Sequence, residues 1–299
     1  MGRNHPEPVS GRNLVITVFL NLAITIAEVI GGILSNSLAL LSDALHNLSD
    51  TIALFIAWIA NKISRRASND RKTFGYKRVE ILAAFLNSLV LILVSVFLFI
   101  EAVKRFMDPE PIRGQIMFIV ATAGLAANLI SVLILRKDSG KNINIRSAYL
   151  HLLSDTLSSV AVIIGGILIY FFDLFWIDPL VTVLISLYIL RETWFVFRET
   201  VDILMQGTPR GMSLNKIKAE VEKIPGIANV HHVHLWNLND SLIHFECHVI
   251  VSENIRVSDT KPILETIERM LMDQFGITHI TVQFEYNVDH ERSSISERL

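Results

Sequence analysis

Leu41–Asp50 reads LSDALHNLSD and Tyr149–Ser158 reads YLHLLSDTLS; both contain L-H-x-L-S-D-T, at Leu45–Thr51 and Leu150–Thr156. Each copy sets a histidine four residues before an aspartate inside an apolar run. Residues i and i+4 share one helix face, so His46 projects with Asp50 and His151 with Asp155. A carboxylate at membrane depth costs several kcal/mol unless it is paired or bound to a metal. Two imidazoles and two carboxylates brought together make a tetrahedral cation site that suits zinc, with cobalt, iron and cadmium as competitors. A single copy in a soluble helix reads more simply as a local intrahelical pair, whereas two copies at membrane depth favour the shared site. Ser49 and Ser154 bond to backbone or orient the ligands. Asp43, one turn before His46, either draws cations to the mouth of the site or is solvated near the helix end.

The elements that must position these residues are membrane helices. The chain has 299 residues, 51% of them hydrophobic and 19% charged, and a mean hydropathy of +0.45. That is too apolar for an ordinary soluble domain. A span takes about 20 mostly apolar residues, and six stretches qualify: 13–34, 38–61, 80–103, 115–136, 147–170 and 177–197. The second loop carries Lys62, Arg65, Arg66, Arg71, Lys72, Lys77 and Arg78, and the fourth carries Arg136, Lys137, Lys141 and Arg146. The first and fifth connections carry no basic residue. This asymmetry predicts that both termini lie in the cytoplasm. The second and fifth helices then run in opposite directions, which sets His46 level with Asp155 and Asp50 level with His151, near the centre of a roughly 30 Å core. Asn21, Glu28 and Asn128 are polar at the same depth and line the cation path or satisfy one another. Gly31-Gly32 and Gly165-Gly166 permit close helix contacts.

From Gly207 the chain turns polar and its apolar periods shorten. A helix in MSLNKIKAEVEKI, strands in NVHHVHLWNL and LIHFECHVIV around Asn239-Asp240, a helix over Ser258–Phe275 capped by Ser258, and a strand in ITHITVQFEY give the order αββαβ. The expected fold is an α-helical membrane protein of six transmembrane helices followed by a small cytoplasmic α/β domain, metallochaperone-like or ferredoxin-like. The expected layout is an N-terminal cytoplasmic segment at 1–12, a transmembrane domain at 13–206, a regulatory and dimerisation domain at 207–290 and a loose tail at 291–299. The strand period of two puts His244, Glu246 and His248 on one face and Phe245, Cys247 and Val249 on the core face. Thr281, Gln283 and Glu285 share a face of the third strand. Cys247 is the one cysteine, which excludes disulfides within the chain and a CxxC metal site; it reads as packing, as does Trp236. A formal net charge of -2 argues for no charged partner, and nucleic acid is not expected as one.

Together these features resemble the cation diffusion facilitator family, in particular its zinc-type bacterial efflux members, over residues 12 to 288. The resemblance implies a homodimeric secondary transporter of the inner membrane that exchanges a divalent metal, Zn²⁺ foremost, for protons. Its transport site falls on His46, Asp50, His151 and Asp155, and His46 in place of an aspartate matches the zinc-preferring pattern. The resemblance also implies a cytoplasmic regulatory metal site at the dimer interface, with ligands matching His231, His248 and Glu285. Gln283 stands where a further family histidine can sit, so one metal rather than two is expected there, and His232, His234 and His279 read as surface or core histidines. Some members bind another metal in the second loop; here, in NDRKTFGYKRVE, Lys72 and Tyr76 replace the histidines and none is expected. Zinc needs neutral imidazoles and ionised carboxylates, so protons compete for the same ligands near neutral pH. An intramembrane metalloenzyme would require an open metal position and a base, typically as HExxH, and the sequence has no HExxH. A sensor that does not transport would leave the ligands in the membrane without a purpose.

Overall fold

The computed structural model describes residues 11–136, 143–239 and 241–287, with the side chains at 11–18, 54, 134–136, 143–154 and 157 outside the description. The chain forms two compact units. One comprises Met1–Trp58 and Leu86–Phe197, the other Ile59–Phe85 and Arg198–Leu299. Six long helices come first: α1 (Gly11–Ser35), α2 (Leu38–Ser64), α3 (Val79–Met107), α4 (Gly114–Arg136), α5 (Ile143–Phe172) and α6 (Ile177–Leu204). Most run past the apolar stretches read from sequence, α6 as far as Leu204. Hydropathy marks where a helix meets lipid, whereas residues such as Glu199, Thr200 and Asp202 are compatible with helix in water. Left-handed Asn36 and Asp173, at φ 59° and 52°, follow the ends of α1 and α5, and Pro109 and Pro111 follow α3. Pro179 sits in the first turn of α6, where its missing N–H has no partner to lose.

The helical unit buries polar side chains alongside an apolar core and exposes large apolar ones. Thr25, Glu28, Ser42, Asp43, Asn47, Asn128, Ser131 and Ser159 are buried, while Phe19, Phe55, Trp58, Phe97 and Phe171 are exposed. An apolar exterior of this extent suits lipid rather than water. By length and composition, Val79–Met107, Gly114–Leu133 and Ile177–Leu204 could each cross a membrane, considering the described residues alone; in α2, Asp43, His46 and Asp50 dilute the apolar run. Helices approach closely where side chains are absent. A Cβ on Gly166 would lie 3.2 Å from the Phe118 backbone nitrogen, and one on Gly31 would lie 2.8 Å from both Val120 methyls, so α5 and α1 each close on α4 at a glycine. At the start of α2, the buried Asp178 carboxylate of α6 accepts hydrogen bonds from Ser37 Oγ (2.5 Å), Leu38 N (2.8 Å) and Ala39 N (3.2 Å). It satisfies backbone donors that a helix N-terminus cannot pair internally.

The second unit holds α7 (Leu214–Glu222), β1 (Ile227–Asn237), β2 (Ile243–Val251), α8 (Lys261–Phe275) and β3 (His279–Glu285), in the order αββαβ. The sheet runs β1-β2-β3, with β1 antiparallel to β2 and β2 parallel to β3. The parallel pair is joined through α8, since parallel neighbours need a crossover. Val230, Val233, Leu235, Phe245, Cys247 and Val249 form a core with Ile217, Val221, Ile267 and Leu271. Full burial of each large member contributes about 1.5–3 kcal/mol. Ser258 does not cap α8: it lies in a 3₁₀ turn over Val257–Thr260, and its hydroxyl bonds Asp259. The helix proper begins at Lys261 with Pro262 in its first turn, where proline is pre-set for helix. Asp240, expected in the hairpin turn, lies outside the described residues.

Candidate metal centres

In the helical unit, α2 supplies His46 and Asp50 and α5 supplies Asp155. His46 Nε2 lies 3.6 Å from Asp50 Oδ2 and 4.0 Å from Asp155 Oδ1. The imidazole therefore stands within reach of carboxylates from two helices a hundred residues apart in sequence. His151 lies on α5, one turn before Asp155, and its side chain is outside the described residues, as is that of Ser154. Ser49 lines an apolar cavity of about 230 Å³ together with Ile52, Leu86, Val90 and Val94. Asp43 is not solvated at a helix end. It is 2% exposed and accepts a hydrogen bond from Ser159 Oγ of α5 at 3.3 Å. Glu28 of α1 is equally buried, accepts from Asn47 Nδ2 at 3.2 Å and lies against Gly124, where any Cβ would strike its carboxylate. Asn47, Ser159 and Asp178 were not singled out from sequence. The signal for Asn47 was present: Asp43, His46, Asn47 and Asp50 stand at i, i+3, i+4 and i+7, one polar stripe on an apolar helix.

On the sheet, His231 of β1 is paired with His248 of β2, and Glu285 of β3 reaches both. His248 Nδ1 lies 2.9 Å from Glu285 Oε1, and His231 Nε2 lies 3.3 Å from Glu285 Oε2. One ligating atom from each of the three falls within 4.8 Å of the other two. Two nitrogens and one oxygen, half-buried or better, form a donor set of zinc type. Gln283 Nε2 donates to Glu285 Oε1 at 2.9 Å, so this residue orients the carboxylate. Burial, followed by the neighbouring His234 and His248, lowers the His232 pKa against the opposing pull of Glu246 and Glu285. Burial, then His279, lowers that of His244. Trp236 is half-buried and stacks on His244 with ring centroids 5.3 Å apart, outside the apolar core. In the basic loop, Lys72 Nζ sits over the Tyr76 ring, 5.6 Å from its centroid.

A helical unit apolar outside with buried carboxylates and an imidazole inside, followed by a small α/β unit with a His-His-Glu cluster on its sheet, is the build of a membrane transporter of cations. Residues 14–205 match the family model of the cation efflux transmembrane domain, and residues 209–287 match that of the cation efflux protein cytoplasmic domain. The chain belongs to the cation efflux, or cation diffusion facilitator, family. It is 40% identical over 297 residues to the cadmium, cobalt and zinc/H(+)-K(+) antiporter of Bacillus subtilis (strain 168), covering 99% of this chain and 95% of that protein. It is 38% identical over 287 residues to the zinc transporter ZitB of Escherichia coli (strain K12), covering 95% and 90%. It is 39% identical over 285 residues to the metal cation efflux system protein CzcD of Cupriavidus metallidurans, covering 95% and 90%.

Proposed function

We propose that this protein exports Zn²⁺ from the cytoplasm in exchange for protons, by alternating access around a tetrahedral site of His46, Asp50, His151 and Asp155. The observation that carries this reading is the His46 imidazole within 3.6 Å of a carboxylate on its own helix and 4.0 Å of one on α5. Zinc binds when the imidazoles are neutral and the carboxylates ionised, so protons arriving from the opposite side compete for the same atoms. One site with two exclusive occupants couples the fluxes without a second binding site. The buried Glu28 and Asp43 favour a dication over a neutral or anionic solute. The basic second and fourth loops set both termini in the cytoplasm of an inner-membrane protein. Within this reading residues 13–206 transport, and residues 207–290 hold a homodimer and sense zinc through His231, His248 and Glu285. The zinc and antiporter names of the relatives agree with this substrate and counter-ion.

The test is zinc flux into sealed vesicles under an imposed pH gradient. Asp50→Ala and Asp155→Ala are each expected to lower the flux by more than about tenfold, since each removes a ligand. Normal flux through either variant would overturn the proposal.

A further inference from the structure

We propose that a cleft between the α2–α3 loop and the sheet binds the phosphate headgroup of an anionic phospholipid. The cleft lies wholly within the second unit and measures about 380 Å³. Its walls combine three cations, Lys72, Lys77 and Arg78, with Phe74, Trp236 and Leu82. No carboxylate is among its lining residues.

The three cations have no internal counter-charge. Among the described residues, no carboxylate comes within ion-pair distance of Lys72, Lys77 or Arg78. The Nε of Arg78 is buried and has no hydrogen-bond partner. A buried charged donor left unpaired is destabilising, so this position calls for an acceptor from outside the chain. Glu80, in the first turn of α3, does not supply it. Its Oε1 accepts from Asn61 Nδ2 at 3.1 Å and Ser64 Oγ at 2.7 Å, and its Oε2 accepts from Asn239 Nδ2 at 3.3 Å. The last of these bonds ties the loop to the sheet. So does Phe74, which meets the His244 ring edge-on with centroids 5.4 Å apart. The cleft is therefore walled on both sides by side chains that hold one another.

A phosphodiester fits these walls. It brings one negative charge and several acceptor oxygens, which a guanidinium and two ammonium groups can share. The apolar part of the lining selects a lipid over free phosphate. Val79 and Leu82 line the cleft and open α3, a helix long and apolar enough to cross a membrane. Acyl chains joined to a phosphate at Arg78 have an apolar helix to follow. Basic clefts at the ends of membrane helices hold anionic headgroups in this way, and aromatic rings favour the same depth. A zwitterionic headgroup carries an ammonium that the three cations repel.

The experiment is native mass spectrometry of the full-length, delipidated protein in detergent, titrated with phosphatidylglycerol or phosphatidylcholine. Wild type is expected to bind its first phosphatidylglycerol at least about tenfold more tightly than its first phosphatidylcholine. Arg78→Gln should weaken that first step about fivefold, and Lys72→Gln/Lys77→Gln about tenfold or more. Arg191→Gln removes the same charge from an exposed position on α6 and should leave the step unchanged. Equal affinity in wild type and Arg78→Gln, or equal weakening by Arg191→Gln, would overturn the cleft. A large excess of inorganic phosphate should leave the lipid bound; displacement would mark a site for free phosphate and overturn the lipid. Should Arg78→Gln melt below wild type, the Lys72/Lys77 double variant decides: a weakened first step supports the cleft and an unchanged one overturns it.

Discussion

Cys247 shows how far a single residue can be read. Alternation along β2 assigns its side chain to the core, and it is 0% exposed between Glu246 and His248. Burial, with Glu246 adding to it, pushes the thiol from 9.0 up to about 12. At about pH 8 its thiolate fraction is therefore on the order of 10⁻⁴, and iodoacetamide should leave the native protein unmodified while labelling the unfolded chain. The sign of the linkage follows. The unfolded thiol ionises from about pH 9 and the folded one holds its proton to about 12, so this contribution is present below pH 9 and is lost as pH rises toward 12. Cys247→Val should flatten the alkaline fall in melting temperature. The core role of Cys247 was legible because it depends on strand period alone. The role of Gln283 was not, because its hydrogen bond to Glu285 is a matter of rotamer.

At the scale of elements, α2 carries His46 and Asp50, and its first turn is held by a carboxylate of α6. Asp178→Ala strands two backbone N–H groups and the Ser37 hydroxyl in a buried site, each worth about 1–3 kcal/mol when left unpaired. The whole protein is expected to lose about 2–4 kcal/mol, measured by denaturant unfolding in detergent, and zinc flux should fall with it as the ligand helix shifts. Asp178→Asn keeps one acceptor and should lose less. Helix existence was legible at all six positions because apolar runs of that length have no other stable form in lipid. Helix ends were less so, as the extension of α6 to Leu204 shows. The αββαβ order was also legible, but α8 begins at Lys261, with Pro262 in its first turn, rather than at Ser258, since proline preorganises a first turn.

At the scale of the molecule, the proposal of a homodimer with a zinc-responsive second unit makes a paired prediction. Light scattering of the purified protein should report twice 33.7 kDa once detergent is subtracted. Zinc at a hundred times its Kd should stabilise the fold by about 2.7 kcal/mol, since it binds the native state alone. Glu285→Ala should remove most of that gain while leaving the metal-free melting temperature near that of wild type. A monomer, or an undiminished zinc effect in Glu285→Ala, would count against the regulatory site without touching the transport site.

The sequence by itself determined the six apolar helices, the strand alternation and the two HxxxD pairs. Each rests on local periodicity, with the partner residue two to four positions away. Tertiary structure alone decided that Asp43 is buried against Ser159, 116 residues on, and that Asp178 holds a helix that begins 140 residues earlier. It also decided that the break in β1 at His232 brings His231 to His248 and Glu285 while His232 lies beside His234. Such contacts depend on which faces meet after folding, and no spacing along the chain encodes them.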